Sequence, residues 1–124
     1  MSDRTNYEPP SSAEELIRRY AQGERYFGHS DLPDGTNLSG VQLEGSNLER
    51  SWFHSANFSR ANLRGVNFSG CNVKCVDFSD ADLEGANFAG AAVESLLLDG
   101  ANLKGVNFAG ASAYGYELRE GQTP

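Results

Sequence analysis

Side chains able to do covalent or metal chemistry are scarce in this 124-residue chain. The histidines are His29 and His54, and the cysteines are Cys71 and Cys75, a C-x-x-x-C pair. An activated nucleophile needs a base within hydrogen-bond reach. No G-x-S-x-G, H-E-x-x-H or phosphate-loop pattern supplies such a set. Cys71 and Cys75 admit two readings. They could hold a metal or close a disulfide, or they could point to opposite sides of the backbone, one packed and one in solvent. Asp77, Asp80 and Asp82 bring three carboxylates together, but not at the spacing of a calcium loop, so a solvated corner suits them better. No catalytic, cofactor-binding or metal-binding residue is assigned. No cofactor is expected, and the chain is not expected to be an enzyme.

A period of five organises these residues. From Thr36 to Glu120 the chain divides, without insertion, into 17 five-residue words such as TNLSG, VQLEG, SNLER and SWFHS. Such repeats decide the fold before any other pattern does. The third position is Leu, Phe or Val in 16 words, and the first is small in 15. The second is Asn or Asp in 11, and the fifth is Gly in 10. Positions one and three therefore face inward; two, four and five face outward. This is neither a helical period nor a sustained alternation. Each word reads as a short extended piece followed by a corner, where Gly suits a positive φ. Cys71 falls on an inward first position and Cys75 on an outward fifth, which favours the second reading of that pair.

The words ANFSR, ANLRG, ADLEG, ANFAG and ANLKG resemble the A-(N/D)-(L/F)-x-x consensus of the pentapeptide-repeat family, over 85 of the 124 residues. The resemblance implies an all-β solenoid: a right-handed quadrilateral β-helix of about 4–5 coils, four words to a coil, with a short N-terminal capping α-helix. Side chains four words apart should then stack. The inward columns are sorted accordingly: Leu43, Leu63, Leu83 and Leu103 on one face; Leu48, Phe68, Phe88 and Phe108 on the next. A period of five alone does not require this sorting. Asn47, Asn67, Asn87 and Asn107 form an outward ladder expected to hydrogen-bond between layers. Glu44, Arg64, Glu84 and Lys104 alternate in charge along the Leu face, which would help fix register.

Residues 1–10 read as a disordered tail. Residues 11–35 read as a cap made of a helix and two degenerate words. Ser11 and Ser12, three residues ahead of Glu14 and Glu15, give overlapping capping boxes. Leu16, Ile17, Tyr20 and Ala21 form an apolar stripe, and Gly23 can stop the helix. The same stripe could instead dock a partner or a second copy. Phe27 and Leu32 take the third positions of RYFGH and SDLPD, and Gly35 is one extra residue. The segment SAEELIRRYAQGERYFGHSDL resembles the N-terminal caps of cyanobacterial members of the family. Residues 36–120 are the β-helix and 121–124 a tail. Tyr114, Tyr116 and Leu118 are expected to cover the last coil.

One face is irregular. Its second positions are Trp52, Asn72, Ala92 and Ser112, and its fourth positions are His54, Lys74, Glu94 and Tyr114. Trp52 is the only Trp, and exposed aromatics are enriched at binding hot spots. Trp52, His54, Lys74 and Glu94 are therefore the candidate partner-binding face. The plainer alternatives are that Trp52 packs under the N-terminal segment or has drifted on an unselected face.

Net charge is −7 and the pI about 4.7. No basic footprint for nucleic acid exists, so direct nucleic-acid binding is not expected. No apolar run approaches the roughly 20 residues that span a bilayer, so no membrane association is expected. No secretory signal is visible, which predicts a cytoplasmic location. A non-catalytic interaction module with an unknown protein partner fits best. Its oligomeric state is open, with a monomer favoured. The resemblance also implies an alternative, a DNA-mimic regulator of a DNA-binding protein such as gyrase. The repeats carry 10 acidic and 6 basic residues, a net of −4. At about 4.8 Å per coil the rod is roughly 20 Å long. Duplex DNA of that length carries about 12 charges, so the rod is a weak mimic.

Overall fold

The computed structural model describes residues 6–119 and 121–124. Each word makes one side of a winding backbone, and positions four words apart meet as parallel bridges: Asn47 with Asn67, Asn67 with Asn87, Asn87 with Asn107. The same offset holds on every face, for example Gln42 with Asn62 and Trp52 with Asn72. Four words therefore complete one turn. The bonds follow a fixed rule. Position three donates to position two of the next turn, as in Phe68 N–H to the Asn87 carbonyl at 2.7 Å. Position two donates to position one of the previous turn, as in Asn87 N–H to the Val66 carbonyl at 3.0 Å. Each side is too short for a longer ladder, so single bridges replace strands.

The corner is built locally. The N–H of position one bonds the carbonyl of position three in the preceding word, as in Val66 to Leu63 at 3.1 Å. The fifth position adopts positive φ, as at Gly65 (66°) and Gly85 (73°), which glycine reaches without a Cβ penalty. Non-glycine residues take the same conformation where they fall on this position, among them Arg60 (60°) and Cys75 (61°). The second-position side chain braces the corner. Asn67 Oδ1 accepts the Ser69 N–H at 2.9 Å, and Asn87 Oδ1 accepts that of Ala89 at 2.9 Å. The Asn column thus works mainly within each word rather than between layers. Between layers, Asn107 Nδ2 donates to Asn87 Oδ1 at 3.3 Å.

Inside, the columns pack dry. Leu43, Leu63 and Leu83 are fully buried, as are Phe58, Phe68, Phe78 and Phe88. Rings in adjacent turns stack, Phe68 on Phe88 at 4.8 Å and Phe58 on Phe78 at 5.6 Å. Rings on neighbouring faces meet edge-on, as Phe58 meets Phe68 at 5.8 Å. Both arrangements suit the aromatic quadrupole. On the Leu face, Arg64 bridges Asp82 and Glu84, each at 3.0 Å.

One helix, α1 (Ala13–Ala21), precedes the words. Ser12 caps it by accepting the Glu15 N–H at 3.1 Å, and Glu15 reaches back to Ser11. Gly23 follows the helix at φ 99°. Its buried anchor is Leu16, which joins the core of the words, with Ala13 and Tyr20 packed against that core. Ile17 is 45% exposed and Ala21 is exposed, so only part of the expected stripe is covered. Tyr20 donates its hydroxyl to the Glu44 carbonyl at 2.7 Å. Tyr26 pairs with Asn47 and Asp31 with Trp52, one residue more than the regular offset because Gly35 is inserted.

Two expectations about the ends need correction. Residues 1–5 of the expected disordered tail lie outside the described residues. Residues 6–10 depart from that reading: Tyr7 donates to the Gly28 carbonyl at 2.9 Å and meets Tyr26 edge-on at 5.0 Å, and Pro10 is buried. The aromatic ring of Tyr7 finds apolar area on the degenerate word. At the other end Tyr114 and Tyr116 are 68% and 75% exposed and do not cover the last coil. Residues 112–117 turn back as a hairpin of β1 (Ser112–Ala113) and β2 (Tyr116–Glu117), with Tyr114 in its turn at φ 53°. Both rings therefore face solvent, and Leu118 alone of the three packs on the core.

Two substitutions separate the core from the corner brace. Phe68→Ala should cost about 3–5 kcal/mol, as for other buried aromatics. Asn67→Ala should cost about 0.5–1.5 kcal/mol, the net value of one hydrogen bond. Urea unfolding of both variants measures this; equal losses would contradict the division of roles.

Candidate functional site

The irregular Trp face comprises the words starting at 51, 71, 91 and 111. Bridges Trp52–Asn72 and Asn72–Ala92 stack its second positions in adjacent layers. Asn72 braces its corner normally, accepting the Lys74 N–H at 3.0 Å. Trp52 and Ala92 have no side-chain acceptor to do so. Their slots are freed from holding the backbone, and at Trp52 a large ring fills one.

Trp52 is 44% exposed. Its indole N–H donates to Asp34 Oδ1 at 2.9 Å, and His54 Nδ1 lies 3.3 Å from Asp34 Oδ2. The two rings stack at 5.9 Å and 27°. Ser55 Oγ is also within 3.2 Å of His54 Nδ1. One carboxylate thus accepts from the indole and lies beside the imidazole stacked on it. Trp52 lies beside the N-terminal segment, tied to its Pro33–Gly35 loop, and is not buried beneath it.

Of the four candidate residues, Trp52 and His54 are brought into contact. Lys74 and Glu94 lie one and two layers along the same face, half-buried, with no ion pair among the described residues. Asp34, which the sequence does not single out, is the residue that the fold adds to this candidate site. The available signal was the extra residue Gly35, which offsets the first words by one and swings Asp34 toward His54.

A shallow groove of about 340 Å³ runs along the corner beside Trp52, lined by His29, Ser30, Asp31, Arg50, Trp52 and Asn72. A larger depression of about 990 Å³ lies between residues 6–8 and the end of α1. Its chief cation, Arg19, is already bonded to Glu15, Glu24 and the Glu8 carbonyl. The larger volume therefore offers less unmet bonding than its size suggests, and the Trp face is the better candidate.

The cysteines separate as their positions require. Cys71 is buried and donates its thiol to the Leu48 carbonyl at 3.0 Å, while Cys75 is exposed. Burial pushes the Cys71 thiol up to about 12, against the lowering effect of its backbone bonds. Asp77 bonds the Ser79 N–H at 2.8 Å and Asp82 bonds Arg64, so two of the three clustered carboxylates are engaged by protein groups.

Two measurements check this geometry. One thiol per chain, Cys75, should react with a thiol reagent in the native protein, and the second only on unfolding; two fast thiols would contradict the burial of Cys71. Asp34→Ala should shift the emission of the single Trp to longer wavelength, because the indole loses its partner and gains water. An unchanged spectrum would mean that Asp34 does not hold it.

A family model described as a pentapeptide repeat region matches residues 35–108. The structure of HetL, a pentapeptide repeat protein involved in heterocyst differentiation regulation from the cyanobacterium Nostoc sp. strain PCC 7120, is similar with a TM-score of 0.68 at 28% identity, over 75% of this chain and 43% of that one. The matched part spans less than half the length of HetL. A pentapeptide repeat protein from Nostoc PCC 7120 is 34% identical over 94% of this chain and 93% of its own, with a TM-score of 0.49. A third, from the cyanobacterium Cyanothece 51142, is 28% identical over 65% of this chain and 58% of its own, with a TM-score of 0.35. No protein of curated function matches the sequence. The four-word turn and the family match over most of the words agree: this chain belongs to the pentapeptide repeat family, whose members form right-handed β-helices.

Proposed function

We propose that the chain is a non-catalytic protein-interaction module whose partner docks on the Trp face, against Trp52, His54, Lys74 and Glu94. In this reading residues 36–120 are a quadrilateral β-helix of about four to five coils. Residues 11–35, with α1, close its N-terminal end, and the module acts in the cytoplasm. The observation that carries the reading is the Trp52–Asp34–His54 arrangement. An aromatic pair stacks beside one carboxylate, tied to it through the indole N–H and left partly in water. Aromatic anchors that lose little freedom on binding are the usual hot spots of interfaces.

The surrounding chemistry supports the same reading. Elsewhere the second-position slots are mostly Asn or Asp spent on the chain's own backbone. A relative involved in heterocyst differentiation regulation supports a regulatory setting. Among the described residues, no helix is long and apolar enough to cross a membrane. DNA mimicry is less well supported, because Arg64 and Lys104 interrupt Glu44 and Glu84 along the Leu face.

The test uses Cys75, which is exposed next to Lys74, as the attachment point for a photo-cross-linker. Wild type should capture one protein from native extract, and Trp52→Ala/Lys74→Glu should weaken that capture by about 30-fold, the scale of one hot spot. Lys104→Glu, on the Leu face, should leave it intact. Capture that is insensitive to the Trp-face pair, with thermal melting unchanged, would reject this face as the docking site.

A further inference from the structure

Among the described residues, the last coil is least covered along the words 96–105. One turn earlier, Val76, Phe78, Ala81 and Leu83 are at most 1% exposed. Their counterparts Leu96, Leu98, Ala101 and Leu103 are only partly buried. The hairpin explains the asymmetry. Gly110 N–H donates to the Leu118 carbonyl at 2.9 Å and Leu118 N–H to the Ala111 carbonyl, so the returning chain covers the corner near 110–111 and leaves the words 96–105 bare.

Those words also carry unmet backbone groups. One turn earlier, the N–H groups of Phe78, Asp80, Leu83 and Gly85 donate to the carbonyls of Leu97, Asp99, Asn102 and Lys104 at 2.8–3.0 Å. The corresponding N–H groups of Leu98, Gly100, Leu103 and Gly105 have no acceptor among the described residues. The carbonyls of Leu96 and Ala101 have no donor among them, whereas those of Val76 and Ala81 do. Along the words 96–105 the edge thus offers four donors and two acceptors, a surplus of partial positive charge beside apolar side chains. Residues 96–119 carry two acids and two bases, so no net side-chain charge opposes an approach.

We infer that this open edge binds an extended, apolar segment of another protein, added parallel to residues 96–105 as one more layer of the coil. Charge complementarity selects this occupant. A parallel segment built like the chain's own words turns two carbonyls and one N–H per word toward the edge, which matches four donors and two acceptors. A second copy meeting the edge through its own identical edge would bring four N–H groups against two carbonyls on each side. Half of the donors would stay unmatched. Stacking head to tail is blocked as well, because Leu16 and Tyr20 of α1 pack on the opposite end and Tyr20 already takes the Glu44 carbonyl. Two apolar side chains per word, at alternate positions, would fill the space over Leu98 and Leu103. Unpaired sheet edges are general templates for such additions.

The probe is a blocked synthetic peptide copying residues 101–110, ANLKGVNFAG. Amide exchange of Leu98, Gly100, Leu103 and Gly105, read residue by residue by NMR, should slow at least tenfold at millimolar peptide. Amides of the Trp face should be unaffected. A peptide with Asp at both third positions should give no slowing, and this control leaves the protein itself unaltered. Trp52→Ala should not change the result, so failure here and failure of the Trp-face docking are read separately. No slowing at millimolar peptide would overturn the inference. So would slowing that rises with protein concentration without peptide, which would place a second copy on the edge.

Discussion

Backbone hydrogen bonding between successive turns of the coil is the constraint from which the rest of this molecule follows. A five-residue word has two inward side chains and too little surface to fold alone. Stacked on its neighbours, it buries both side chains and satisfies its N–H and C=O groups with the layers before and after it. Every side chain is thereby assigned a column and a layer. The Leu, Phe and Asn columns are consequences of that assignment. So is the position of Trp52 beside Asp34, set by where one inserted residue interrupts the count.

The fold is readable in the chain because stacking leaves a mark that composition does not. The period of five, the sorted columns and the positive-φ corners all stand in the letters, and Leu63, Phe68 and Gly65 behave as their positions require. Features that depend on only one or two residues are less legible. The letters suggest ladder bonding for Asn67, but its side-chain carbonyl accepts an N–H of its own corner instead. The size of Tyr114 and Tyr116 suggests a cover for the coil. Size does not fix direction, and a turn residue at positive φ sends the chain back on itself before either ring can reach the core.

The candidate site shows the same division. Trp52 and His54 stand out by occupying slots given elsewhere to bracing or small residues. Their partner Asp34 does not, because it sits outside the regular register. The ends of the coil differ in kind. At the start, α1 and the two degenerate words supply Leu16, Phe27 and Leu32 to the core. At the finish, a short hairpin covers only part of the last layer. The two proposed partner surfaces would thus arise in different ways: one from slots released from structural duty on one face, the other from an edge that the repeat does not complete by itself.

The most direct measurement of the stacking rule is a disulfide across one layer. Cys75 and Ser95 share a corner column in adjacent turns, both at positive φ. Adjacent layers lie about 4.8 Å apart, inside the Cα separation that a disulfide accepts. Oxidised Ser95→Cys protein should therefore form an intramolecular bond to Cys75 in high yield, with Cys71 remaining free. Gly90→Cys, one corner earlier in that turn, should not. A bond in the second variant and none in the first would contradict the four-word turn and the placement of every column built on it.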